Sequence, residues 1–168
     1  MFIPRILSLL LPVMATFCFS SAAQVTADQK KQENIAKLKS LVDAHQYRIN
    51  AQSATTMKGR TIQLSYGYNL KINQDSLNVD LPYYGRAYNA NYGSTDNGIK
   101  FKSTDFTYVA DTAKKGGWEI TIKPNKETRV NNIYLSITPS GYCTIRLNST
   151  DREPISYYGT ISDLHTPE

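Results

Sequence analysis

Hydrophobic and polar positions change their period once along this chain, and the change divides it into two parts. From Asn34, apolar residues recur at Ile35, Leu38, Leu41 and Val42, the spacing of one helical face. This predicts an amphipathic helix over about Asp28 to His45, held by packing because two to three turns are marginal alone. After His45 the period becomes two. Tyr47, Ile49 and Ala51 alternate with polar partners, and a turn follows around Gly59. Ile62, Leu64, Tyr66, Tyr68, Leu70 and Ile72 then alternate with Thr61, Gln63, Ser65, Asn69 and Lys71, which predicts one long strand with one wet face. Asn73-Gln74-Asp75 turns the chain, and Leu77, Val79 and Leu81 alternate on the return.

Further strands follow at short spacing. Asn97-Gly98 is a two-residue hairpin signal and predicts pairing of Ala87–Tyr92 with Ile99–Phe101. Phe106 and Tyr108, then Trp118, Ile120 and Ile122, flank a turn at Thr112–Gly117. Ile133, Leu135 and Ile137 face inward on a strand over Val130–Thr138. Cys143, Ile145 and Leu147, then Ile155, Tyr157 and Ile161, complete the series. The pattern predicts a mainly β (α+β) domain: an N-terminal amphipathic helix packed on an antiparallel meander of eight or nine short strands, as a curved sheet or partly open barrel. A two-sheet sandwich is the alternative.

The first 23 residues change the picture at one end. Arg5 precedes an apolar run from Ile6 to Phe19, and Ser21 and Ala23 suit cleavage after Ala23, the layout of a secretory signal peptide. The run is shorter than the ~20 residues of a membrane span. A lipid-anchored form starting at Cys18 is the less favoured alternative, because Phe17 stands where a small residue belongs. The expected layout is a signal peptide at 1–23, a flexible tail at 24–33, one compact domain at 34–162 and a C-terminal tail at 163–168. Periplasmic or secreted localisation follows, with no transmembrane span after cleavage.

Charge adds little. The 168-residue chain carries a net charge of +5, of which Arg5 leaves with the signal. Its lysines and arginines are scattered, so no stripe for phosphates forms and no nucleic-acid partner is expected. One cysteine, Cys143, remains after cleavage; it alternates with Ile145 and Leu147 and is expected to be a small buried apolar residue.

Catalytic chemistry is thinly supplied. His45 sits at the predicted helix end, where it suits the dipole, and His165 lies near the C-terminus. No nucleophile elbow, zinc motif, P-loop or dinucleotide fingerprint occurs. Asp75, Asp96, Asp111 and Asp151 fall at predicted turns, where aspartate is favoured for backbone reasons. Asp96-Asn97-Gly98 lacks the remaining ligands of a calcium loop. No catalytic residue, metal site or cofactor is therefore expected, and the enzyme reading leans to no.

The binding candidate is LPYYGRAYNANYGSTDNGIKF, Leu81–Phe101, the least periodic and most aromatic stretch. Tyr83, Tyr84, Tyr88 and Tyr92 beside Arg86 offer flat amphipathic rings with a charged donor, suited to a glycan, peptide or other small ligand. The bland alternative is that these tyrosines simply pack on a β surface.

The segments MKGRTIQLSYGYNLKI, LPYYGRAYNANYG with GIKF, KKGGWEITIKP, YLSITPSGY and ISYYGTI resemble an exported bacterial family abundant in Bacteroidetes, the one catalogued as domain of unknown function 4251. They cover about Leu41 to Ile161. The resemblance implies an exported, compact single domain of unassigned activity and transfers no catalytic residue. It also suggests O-glycosylation of Asp-Ser/Thr-apolar sequences, with Thr112 and Ser76 as acceptors at predicted turns. The sequence as a whole points to a non-catalytic envelope protein whose partner is an unknown ligand or another envelope protein. A structural module pairing by strand edge is the alternative, and a carboxylate-based hydrolase the third.

Overall fold

The period-two segments become strands of one sheet. The structure, a computed structural model, describes residues 21–88, 98–114, 116–125 and 128–164. One helix, α1 (Ser21–Asp43), precedes β1 (Gln46–Thr56), β2 (Thr61–Gln63), β3 (Asn69–Asn73), β4 (Ser76–Leu81) and β5 (Ile99–Ser103). Then come β6 (Phe106–Thr112), β7 (Trp118–Pro124), β8 (Val130–Ile137), β9 (Tyr142–Ser149) and β10 (Ile155–Ser162). The order across the sheet is β5-β4-β3-β1-β10-β9-β8-β7-β6, with β2 also paired to β1. Every pairing is antiparallel. The chain is thus mainly β, one helix and ten antiparallel strands in a nearly closed, barrel-like sheet; the sandwich alternative falls.

Alternation sends one side of each strand inward. Ile133, Leu135 and Ile137 on β8, and Cys143, Ile145 and Leu147 on β9, are buried, while Tyr134, Thr144 and Arg146 between them are exposed. With Tyr47 and Ile49 of β1, Leu70 and Ile72 of β3 and Tyr157 of β10 they form one continuous core. Each fully buried Ile or Leu contributes roughly 1.5–3 kcal/mol through water removal. β1 and β10, near the two ends of the chain, pair over eight registered positions from Arg48↔Ser162 to Thr56↔Ile155. The open seam lies instead between β5 and β6, where Phe101, Phe106 and Tyr108 are only half-buried.

The helix face appears where the spacing places it: Leu38 and Val42 are buried, Ile35 and Leu41 half-buried. Asn34 Nδ2 donates to the Pro139 carbonyl at 3.2 Å, which seats α1 near the β8–β9 turn. The helix begins at Ser21, earlier than the predicted Asp28, so residues 24–33, expected as a flexible tail, are helical. Side chains 27–34 are nonetheless exposed. His45 follows the helix with φ 51°, and its ring lies 4.1 Å from that of Tyr108 on β6.

One predicted strand differs from expectation. The predicted strand from Ile62 to Ile72 is broken into β2 and β3, which pair with opposite ends of β1. Leu64 N donates to the Gln52 carbonyl and Ala51 N to the Tyr68 carbonyl, both at 2.9 Å, so the chain stays anchored at two points. Between them Ser65-Tyr66-Gly67 swings outward; Gly67 takes φ 106°, open to glycine and costly to others, and Tyr66 is fully exposed instead of inward. This break accounts for ten strands where eight or nine are predicted. Ile99–Phe101 pairs with β4, in the register Leu81↔Ile99 and Val79↔Phe101; its predicted partner Ala87–Tyr92 lies mostly outside the described residues. Ala87 bridges Arg152, and 89–97, Asn97 included, lie outside the described residues.

Candidate functional site

At one end of the barrel the segment after β4 is laced to the turn after β9. Pro82 ends the strand, and its carbonyl accepts a hydrogen bond from Tyr157 Oη at 2.8 Å, from within the core. Tyr83 turns inward, 8% exposed, with its hydroxyl 2.8 Å from the Arg86 carbonyl and 3.0 Å from the Glu153 carbonyl. Glu153 N donates to the Arg86 carbonyl at 3.0 Å, and Tyr88 N to the Asp151 carbonyl at 2.7 Å. The Arg152 guanidinium lies 5.0 Å from the Tyr83 ring centre, a cation–π contact. Burial, then the nearby Glu153 charge, pushes the Tyr83 phenol up. That tyrosine is a strut.

Asp151 anchors the turn. It is buried, and Ser149 Oγ donates to its carboxylate at 2.6 Å. Arg129 Nη1 approaches at 3.2 Å and Arg152 Nε at 3.8 Å. Burial alone would push this carboxyl up. The Ser149 and Arg129 hydrogen bonds and the Arg152 charge outweigh it, holding the group ionised below its usual range. Beside it opens a cleft of about 240 Å³ whose lining includes Ile99, Lys100, Phe101, Arg129, Asp151 and Arg152. Three cations against one carboxylate make the cleft electropositive. Its volume is below the 300–1,000 Å³ of sites that enclose a whole ligand, so it suits one group of a larger molecule.

The predicted tyrosines therefore separate. Tyr84 is 43% exposed, Tyr88 is 63% exposed and Arg86 is exposed, while Tyr83 is interior and Tyr92 lies outside the described residues. Thr112 is exposed but ends β6, paired with Trp118, instead of lying in a turn. Ser76 is half-buried as the first residue of β4, paired with Asn73. Cys143 is a buried free thiol, pushed far up by burial and so protonated and inert. His165 and the Asp96-Asn97 pair lie outside the described residues. Among the described residues there is no group of three or more metal-ligating His, Cys, Asp or Glu side chains, and no helix long and apolar enough to cross a membrane.

Sequence reasoning passed over Arg129, Asp151 and Arg152. Asp151-Arg152 read as turn residues, and only the fold brings Arg129 to them.

A family model described as a domain of unknown function, DUF4251, matches residues 29–161, nearly the whole barrel and most of its helix. The chain belongs to the DUF4251 family. A crystal structure of a DUF4251 family protein from Bacteroides eggerthii shares the fold at a TM-score of 0.57 and 15% identity, covering 79% of this chain and 89% of that one. No curated protein matches the sequence. In this DUF4251 chain, Tyr83→Phe is expected to cost about 1–2 kcal/mol, because two inward carbonyls lose their shared donor. Urea unfolding of the two proteins measures it; an unchanged midpoint would remove Tyr83 from the strut role.

Proposed function

We propose that this DUF4251 protein is a non-catalytic exported envelope protein that binds a small ligand at the barrel end carrying Tyr84, Arg86 and Tyr88. The export part rests on the signal-like pattern of residues 1–23 and the family resemblance. The binding part rests on one observation: the exposed Tyr/Arg segment and the electropositive cleft share a wall, since Asp151 and Arg152 line the cleft and also bind the backbone of 86–88. Exposed rings on a segment bonded to the cleft wall, and a pocket for one anionic group, are the features a glycan, peptide or bile-acid fragment would use.

Thermal-shift measurements against envelope polysaccharides, peptidoglycan fragments and bile acids test this. A ligand at ~100 times its dissociation constant adds about 2.7 kcal/mol, or roughly 5–10 °C for a domain this size. Tyr88→Ala and Arg129→Ala should each remove the shift. Flat melts across the panel would overturn the reading and favour the second one. That second reading is a module pairing by strand edge, supported by β6, which is bonded only to β7 among the described residues and exposes Val109.

A further inference from the structure

The outer face of β3, β4 and β5 carries a second concavity. Leu70 and Ile72 of β3, Leu77 and Val79 of β4 and Phe101 of β5 face the barrel interior, so Lys71, Asn78 and Lys102 beside them point out. The ladders set these three in one row, Lys71↔Asn78 and Asn78↔Lys102. Gln46, Asn73 and Ser76 form the neighbouring row, Gln46↔Asn73 and Asn73↔Ser76. The space lined by the two rows measures about 440 Å³, inside the range of sites that hold a small ligand whole. Leu164, just past β10, also lines it, and among the described residues it shares no lining residue with the cleft beside Asp151.

The chemistry of that lining is selective. Two lysines stand among four amide or hydroxyl side chains, with no aspartate or glutamate among the described residues that line it. Asp80, two residues further along β4, is matched by Lys100 at 3.8 Å, and Asp75 sits in the turn before β4, outside the lining. Among the described residues, none of the six polar side chains of the two rows makes a hydrogen bond or ion pair within the fold. Lys71 and Lys102 lie two strand spacings apart, roughly 10 Å between Cα atoms. Their flexible four-carbon stems let both ammonium groups reach one anion above Asn78. No arginine fork lines the space among the described residues, so nothing in it selects a planar carboxylate. Two compact cations suit a group with close to two negative charges and several acceptor oxygens, and at neutral pH a phosphate monoester is such a group. The amide and hydroxyl row of Gln46, Asn73 and Ser76 lies beside it to meet hydroxyls.

We infer that this concavity binds a phosphorylated sugar, with the phosphate monoester between Lys71 and Lys102 and the sugar hydroxyls on the Gln46, Asn73 and Ser76 row. The site is separate from the Tyr84/Tyr88 end and does not depend on it. Isothermal titration of the full chain with D-glucose 6-phosphate, D-glucose 6-sulfate and D-glucose is the test. The phosphate should bind at least about fivefold more tightly than glucose, the upper scale of one exposed ion pair. The singly charged sulfate should fall between the two. Lys102→Gln should weaken the phosphate about fivefold, with the melting temperature unchanged because the fold makes no use of that ammonium group. Lys71→Gln should act in the same direction, and the double variant should bind the phosphate no better than glucose. Arg129→Ala should leave phosphate binding intact, which separates this site from the cleft beside Asp151. Tighter binding to phosphatidylcholine vesicles carrying monophosphoryl lipid A than to the free ester would identify a lipid headgroup as the source, and equal or weaker binding a soluble sugar phosphate. Equal affinity for glucose and its phosphate, a sulfate bound as tightly as the phosphate, no heat with the phosphate, undiminished binding by the double variant, or loss of binding in Arg129→Ala would each overturn the inference.

Discussion

Replacing Gly159 with alanine is expected to lower the melting temperature by about 10 °C, the equivalent of roughly 3 kcal/mol in a domain of this size. Gly159 lies opposite Ala51 in the ladder between β1 and β10, beside the bulge at Ala51/Ser53. A Cβ there would stand 2.0 Å from the Asn50 carbonyl oxygen and 3.1 Å from Ala51 Cα. Both are backbone atoms, so no side chain can turn away. Relief requires β10 to lift off β1, and that ladder joins the two halves of the sheet. The cost therefore falls at the upper end of the usual range for overpacking, 1–3 kcal/mol. A thermal melt measures it, and a fall of under ~2 °C would mean that β10 does not approach β1 this closely.

Asp151→Asn is the second large effect, and its dependence on pH identifies the cause. The asparagine keeps a partner for Ser149 but leaves Arg129 and Arg152 facing a neutral group. Breaking a buried ion pair costs about 3–5 kcal/mol; Arg129 is well exposed to water, so about 2 kcal/mol at pH 7 is expected here. The folded-state pKa of Asp151 is depressed below the unfolded value near 3.9. Its stabilisation is thus fully present above that value and is lost as pH falls through the lower folded one. Urea midpoints of the two proteins should differ at pH 7 and pH 5 and draw together only as the pH falls below the unfolded value and through the lower folded one. A gap that stayed constant would assign the loss to hydrogen bonding and not to charge. Hydrogen exchange should also quicken at the Tyr88 amide, whose acceptor is the Asp151 carbonyl.

The strands from Trp118 to Ser162 were legible because each has one wet face, so period-two alternation reports burial directly. The helix face at Ile35, Leu38, Leu41 and Val42 was legible for the same reason at its own period. The stretch from Ile62 to Ile72 misled because alternation has the same appearance on either side of an outward swing that re-enters the sheet in phase. Gly67, the one residue there suited to φ 106°, was the only local sign of the break. Tyr83 and Tyr84 are adjacent and outside any strand, so no period could say which one turns inward. Long-range contacts with Glu153 and Arg152 decide it. Arg48 occupies a position that reads as wet, yet it is buried. Asp151 owes its depressed pKa first to Ser149, two residues earlier, and then to Arg129, 22 residues earlier, which only tertiary approach brings to it.

The location of the seam separates two kinds of continuity in this molecule. Covalently the chain runs on from β5 to β6 through Thr104 and Asp105, yet no ladder joins those strands among the described residues. Hydrogen bonding runs instead through β1 and β10, which the chain keeps far apart. The polypeptide is therefore close to a ring whose break has moved from the termini to its midpoint. A protease cutting between Ser103 and Phe106 would sever no ladder, and the two fragments would stay zipped together along β1 and β10. The same geometry makes that turn the natural place for new ends in a circularly permuted chain, with the old ends bridged across α1 and the end of β10.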